Sequence, residues 1–314
     1  MEEKMVVCTL ITPMFSFGAY ENNLELRTAE LKGAMRYMYR IACPAITRIL
    51  AEDEAQLFGA ATGAGRLEEH ASPIRLMIRG NMKNQSKDLL LHRETKRKIL
   101  PCFVDGQIQI TAYLNPVILR KSSGLCQKVD LEWYENLIKL SLILCGMGRR
   151  SRKGRGCFDI ADMTFQNKQE MLEWICKTLN EIAAVSSQKV AGAFEVKNQK
   201  ILSTIDCRDK RPVIQKIWAG QRIEHTHIEG YLLAVDQACH KLKEGDTELA
   251  RITGNGSHDR KFASPLLIRI VKTKEGYYPV YMLIKGVCNG RIIDFNCSQR
   301  EQFIGELEKY RRRE

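Results

Sequence analysis

Two periodicities take turns along the first half of the chain. From residue 73 to 79 the side chains change face at every step: Ile74, Leu76 and Ile78 on one side, Arg75, Met77 and Arg79 on the other. Residues 107–114 repeat the alternation, with Ile108, Ile110, Ala112 and Leu114 inward. Period two marks strands with one buried face and one wet or ligand-facing face. Residues 5–11 (MVVCTLI) are β-rich and stop at Thr12-Pro13, which predicts an opening strand. Period 3.6 takes over from 29 to 42, after Thr28 as a candidate N-cap. There Leu31, Met35, Met38 and Ala42 share one face, while Lys32, Arg36 and Arg40 share another beside Gly33. A short helix over 45–58 follows Pro44, Asp130 caps a helix running to about Cys145, and residues 157–165 alternate again. The order is βαββαβ, the ferredoxin-like unit.

The second half repeats this order less completely. Asn167 and Glu170 form a capping box before a helix to about Ala183, and the stretch VSSQKVAGAF reads as a linker. Residues 212–218 predict a strand, and Thr226 with Glu229 opens a helix to about Lys243. Residues 266–271 and 278–284 predict a hairpin around Lys274-Glu275-Gly276. Ser298 and Glu301 cap a final helix with Phe303, Leu307 and Tyr310 inward. The pattern is β, α, β, β, α, with no evident fourth strand. The expected fold is α+β: two ferredoxin-like (βαββαβ, RRM-like) domains in tandem, over 1–165 and 166–314, the second incomplete or modified.

Composition narrows the partners. The chain has 314 residues, long enough for two cores, with 49 Lys and Arg against 37 Asp and Glu and a formal charge of +12. That excess favours nucleic acid over an acidic protein partner. No run approaches the roughly 20 apolar residues that span a bilayer, and Glu2 and Glu3 stand where a signal peptide needs cations. Eleven cysteines are scattered, the closest pair being Cys288 and Cys297, so neither a disulfide framework nor a zinc site is expected. A soluble, cytoplasmic protein without metal or cofactor is the expectation.

Candidate chemistry concentrates in GMGRRSRKGRGCF. Between Gly146 and Gly156 lie four glycines, five cations (Arg149, Arg150, Arg152, Lys153, Arg155) and no acid. Glycines let a backbone come close to another surface, and Arg and Lys supply donors for phosphate oxygens. The loop suits a polyanion. It is not a P-loop, because Lys153 stands where the second glycine belongs, and GxGxxG fails at Arg149-Arg150-Ser151. Nor is it an RRM signature, since Cys157 replaces a stacking ring. His225 and His227 flank Thr226 at a helix start, and His70, His92, His240 and His258 are isolated, so no His is placed as a base by any motif.

The residues collected so far resemble a known family. LITPMFSFGA, LELRTAELKGAMRYMYR and EAQLFG resemble the amino-terminal signature of the first subunit of the Cmr effector complex, within the RAMP superfamily of CRISPR type III-B systems. LILCGMGRRSRKGRGCF resembles the glycine-rich loop of RAMP proteins, and RKFASPLLIRIVKTKEGYYPVYMLI is similar to the family's late Ala-Ser-Pro hairpin. The resemblance implies a non-catalytic, RNA-binding subunit at the head of a crRNA-guided antiviral complex. Its expected partners are crRNA, target RNA and other Cmr subunits, with no membrane and no small-molecule substrate. Lys32, Gly33 and Arg36 match the family's helix signature, and Gly148, Arg152 and Gly154 match its loop. With Arg40, Arg149, Arg150, Lys153, Arg155 and Gly156 they are the expected RNA-binding residues. Between Gly59 and Ala71 the family's serine- and glycine-rich turn is replaced by AATGAGRLEEH, where Glu68 and Glu69 weaken an RNA contact. Two other readings stand beside this one: a RAMP-type, metal-independent crRNA-processing endoribonuclease using a His, and a structural subunit that binds only proteins.

Overall fold

The alternating stretches become the longest strands of a four-stranded sheet. The computed structural model describes residues 2–20, 23–60, 71–93, 95, 97–115, 117–118, 124–188, 192–205, 211–241, 253–254, 263–288, 291–293, 303–305 and 307–308. Strands β1 (Glu3–Leu10), β2 (Ile74–Asp88), β3 (Ile99–Leu114) and β4 (Phe158–Ile160) lie in the order β2-β3-β1-β4, every neighbour antiparallel. That is the ferredoxin-like order. Helices α1 (Thr28–Ala42) and α3 (Leu131–Leu144) cover one face of this sheet, and α2 (Thr47–Phe58) packs beside α1. Leu31, Met35, Met38 and Ala42 are all buried, as their spacing predicts. Asp130 caps α3, accepting from the Trp133 amide at 2.8 Å.

Helix α4 (Lys168–Ala184) leads into a second sheet of five strands: β5 (Phe194–Lys197), β6 (Lys200–Ser203), β7 (Ile214–Ala219), β8 (Leu266–Thr273) and β9 (Gly276–Ile284). Their order is β5-β6-β7-β9-β8. With α5 (Ile228–Lys241) between β7 and β8, the run β7-α5-β8-β9 reproduces the first three strands of a ferredoxin-like unit. The edge position of the missing fourth strand, beside β7, is taken by β6, which precedes β7 in sequence. Phe303 and Leu307 pack with α5 against Leu266, Ile268 and Tyr281 on one face of this sheet. Met282, Val280 and Leu267 on the other face join the core beneath α3 and α4. A small hairpin, β10 (Gly286–Cys288) and β11 (Arg291–Ile293), follows.

Several local expectations change. Thr28 is the first residue of α1 rather than its cap; Arg27 precedes the helix without a capping bond. Thr226 sits in a 3-10 turn over His225–His227, and α5 starts at Ile228. The last strand of the first unit shrinks to three residues. Asn167 accepts from the Glu170 amide at 3.0 Å as expected, but the Glu170 carboxylate reaches the Gln166 amide. The start of the linker-like stretch is tied down: Asp53, fully buried on α2, accepts from the Ser186 hydroxyl at 2.8 Å and the Ser187 amide at 3.0 Å. Ser298, Glu301, Tyr310 and most of residues 60–71 lie outside the described residues.

Candidate nucleic-acid interface

The glycine-rich segment leaves α3 and turns back to β4 through residues whose backbone only glycine adopts freely. Gly146 and Gly156 have φ of 63° and 57°. A Cβ at Gly146 would fall 1.9 Å from the Arg269 guanidinium, and one at Gly156 would fall 1.9 Å from the Met147 carbonyl. No side chain fits either place. The loop is thereby drawn against the residues after β1: the Arg149 amide donates to Phe15 O at 2.8 Å and the Gly156 amide to Pro13 O at 3.0 Å.

Its other side meets the second sheet. Ile268 N donates to Arg152 O at 3.1 Å, so the loop adds a short parallel bridge to the edge of β8. Arg269 on β8, with no exposed surface, donates to the carbonyls of Ile143, Ser151, Arg155 and Gly156. From α5, buried Asp236 pairs with both Arg150 and Arg155 and accepts from the Leu91 amide at 2.9 Å. Burial pushes the Arg155 guanidinium below its usual range, and the Asp236 carboxylate opposes that shift.

Of the five loop cations expected to bind RNA, two are buried. Arg155 is 1% exposed, and Lys153 is buried with its ammonium 2.9 Å from the Ser264 hydroxyl. Arg150 is half-buried, and its planar fork points at Asp236. Arg149 is exposed, its guanidinium 4.8 Å above the Phe17 ring. Arg152 is half-buried, 4.9 Å above the Tyr37 ring, and bonds Ser264 O at 2.6 Å. Gly148 gives its amide to Glu30 of α1 at 2.6 Å, and a Cβ at Gly154 would press on Leu232 at 2.8 Å. The loop binds the two units together with most of its cations and shows the rest to solvent.

The structure also brings this loop to the cationic face of α1. Gly33, Tyr37 and Arg40 stand at i, i+4 and i+7, and Arg152 covers Tyr37. Gly33 and Arg40 are exposed. The cations of the stripe have partners of their own. Arg36 and Arg40 both reach Glu54 on α2, at 2.6 and 3.0 Å, and Lys32 donates to the Ser72 hydroxyl at 2.7 Å. Burial, and then the charge of Arg36, pull the Lys32 ammonium below its usual range, so an anion arriving there relieves a crowded cation. Three cations stand against one carboxylate, and the patch from Lys32 to Arg40, extended by Arg149 and Arg152, stays positive.

Gly33 stands apart from the loop glycines. It lies inside a helix, exposed, and a Cβ there meets nothing within 4 Å. Nothing within the described protein requires it, although glycine costs a helix about 1 kcal/mol relative to alanine. Among the described residues no group of three or more His, Cys, Asp and Glu could hold a metal ion, and no helix is long and apolar enough to cross a membrane. His92 and His240 stack on each other with ring centroids 4.6 Å apart, and His225 packs on Tyr277; His70 and His258 lie outside the described residues.

Sequence reasoning missed Asp236, Arg269, Glu30 and Glu54. Two of them carried a signal: a lone Arg inside LLIRIV, and a lone Asp inside YLLAVDQAC, are charges in otherwise apolar elements and so demand partners.

No family model matches the sequence, and no curated protein matches it. Solved structures do. The chain resembles the crystal structure of Cmr1 from Pyrococcus furiosus in its apo form, with 16% identity and a TM-score of 0.56 over 98% of this chain and 97% of that one. A chain of the type III-B Cmr-beta complex bound to cognate target RNA and AMPPnP in the presence of ssDNA gives 11% identity and a TM-score of 0.58, covering 98% and 99%. A chain of the Cmr-beta complex bound to cognate target RNA gives 10% and 0.56, covering 99% and 100%. The fold is the tandem ferredoxin-like arrangement of those chains, from end to end.

Proposed function

We propose that this chain is a non-catalytic, RNA-binding subunit of a CRISPR type III-B (Cmr) effector complex, a RAMP protein at the head of the assembly. Its partners are crRNA, target RNA and other Cmr subunits. The observation that carries this reading is the end-to-end match of both units to chains of such complexes. The patch of α1 and the loop adds the chemistry: exposed Arg40 and Arg149, half-buried Lys32, Arg36 and Arg152, and a helix glycine facing open space. Contacts of this kind read phosphate and sugar rather than base edges, as recognition of any guide sequence requires. Arg150, Lys153, Arg155 and the glycines at 148, 154 and 156 support the surface from behind by fixing the loop.

Gly33→Ala tests the reading against a structural role. The substitution stabilises the isolated protein by about 0.5–1 kcal/mol, because the helix gains and no neighbour is touched. In the assembled complex it weakens retention of RNA, because the methyl stands where the RNA backbone approaches. Thermal unfolding and RNA retained through a salt gradient are the measurements. A more stable protein that keeps all its RNA removes α1 from the interface.

The absence of chemistry is tested with the purified chain and labelled repeat RNA, without metal. Intact RNA is expected. Specific cleavage that disappears when one of the six histidines is changed to alanine favours the endoribonuclease instead.

A further inference from the structure

The two sheets have four faces, and described elements cover three. α1 and α3 cover one face of the first sheet, while α4 and α5 cover the two faces of the second. The outer face of the first sheet carries no described helix. On it β2 presents Arg75, Arg79 and Lys83 at i, i+4 and i+8, a row about 26 Å long at the usual rise of ~3.3 Å per residue. Arg75 and Arg79 are exposed, and neither has an acidic partner among the described residues. Lys83 pairs with Asp105 at 3.0 Å, but both groups are exposed, so the pair is worth little and yields readily to a phosphate.

The neighbouring strands supply a different chemistry. The register of β3 sets Tyr113 opposite Arg75, Gln109 opposite Arg79 and Gln107 opposite Asn81. β1 adds Met5, 54% exposed, opposite Thr111. A hollow of about 150 Å³ opens between Glu3, Met5, Met77, Arg79, Gln109, Thr111 and Tyr113, with Glu3 opposite Tyr113 as its one carboxylate. Cations line one side, amides run down the middle, and a ring, two thioethers and the Glu3 carboxylate sit at one end, so the cations outnumber the acid on this face.

We propose that this face binds single-stranded RNA, with Arg75, Arg79 and Lys83 following phosphates while Gln107, Gln109 and Tyr113 meet exposed bases. The proposal rests on the reading that the chain binds RNA, and adds a second surface to the patch of α1 and the loop. The unmatched cations call for an acidic partner. Amides and a tyrosine ring on a flat sheet suit unstacked bases, which offer a π-face and free edges. An A-form duplex hides its bases behind a convex backbone and leaves those groups unused.

Fluorescence anisotropy with a labelled 20-nucleotide oligo(U) tests it, on the full chain and at several salt concentrations. Arg75→Gln/Arg79→Gln is expected to weaken binding roughly ten-fold and to lower the salt slope by about 1.4, about 0.7 for each phosphate that the variant leaves unneutralised. The thermal midpoint stays in place, because both side chains are exposed. Arg75→Glu/Arg79→Glu weakens binding further, and a duplex of the same length binds wild type less tightly than oligo(U). If wild type binds oligo(U) and the glutamine variant keeps its affinity and slope while Arg149→Glu loses both, the sheet face is excluded and the loop reading stands. If the glutamine variant keeps RNA but fails to assemble with Cmr subunits, the face belongs to a protein neighbour and the proposal is wrong. If wild type binds no oligo(U) at any salt, this proposal and the RNA-binding reading fall together.

Discussion

Replacing Asp236 by alanine lowers the unfolding free energy by about 3–5 kcal/mol, the usual loss when one partner of a buried ion pair is removed. The carboxylate is fully buried, and it answers two guanidiniums and one backbone amide. Without it the Arg155 charge, 1% exposed, keeps among the described residues the Lys153 carbonyl at 3.1 Å as its one partner. Urea unfolding measures the loss. The double variant Asp236→Leu/Arg155→Met checks the cause, because deleting both charges restores much of the stability that the single change removes. Asp236→Ala with wild-type stability would mean that water already reaches the site. On the RNA-binding reading proposed above, the same variant also lowers RNA retention, since the loop that displays Arg149 and Arg152 is anchored through its neighbours.

Arg269→Met has a comparable effect for a different reason, at least about 4 kcal/mol, because four carbonyls lose donors at about 1 kcal/mol or more each. Arg269 has no carboxylate among its described partners. Its charge is solvated by four carbonyls, one of them Ile143 O in the last turn of α3, where the helix dipole is negative. Methionine fills much the same volume and bonds none of them. Arg269→Lys does not rescue the loss, since an ammonium cannot spread donors over carbonyls that a planar fork reaches together. Equal stability of Arg269→Lys and wild type, by thermal or urea unfolding, would show that charge alone holds the loop.

The first unit was legible because each of its elements buries one face. Ile74, Leu76 and Ile78 against Arg75, Met77 and Arg79 is a pattern that only a half-covered strand satisfies, and α1 separates Leu31 and Met35 from Lys32 and Arg36 just as cleanly. The hairpin of β5 and β6 was hidden because its strands are four residues each, and its turn, Asn198-Gln199 with φ of 49° and 56°, lacks the glycine that announces such turns. The candidate site was half legible. Its cations and glycines stood in the sequence, but their partners did not, since Asp236 lies 81 residues from Arg155. Charge clusters read as exposed when their counter-charges are distant in sequence, and only packing reveals which of them face inward.

The placement of β6 alters the order in which the second sheet can be built. In a βαββαβ unit the strand that closes the edge beside the first strand is made last, and the slot stays open through the rest of synthesis. Here β6 leaves the ribosome before β7, and β5, β6 and β7 pair as neighbours in sequence. Contacts this local close early and cheaply, so a three-stranded meander forms first and its β7 edge receives the arriving hairpin of β8 and β9. The slot beside β7 is thus filled from the outset, and among the described residues the open edge passes to β5, a strand of four residues that offers another copy of the chain only a short template.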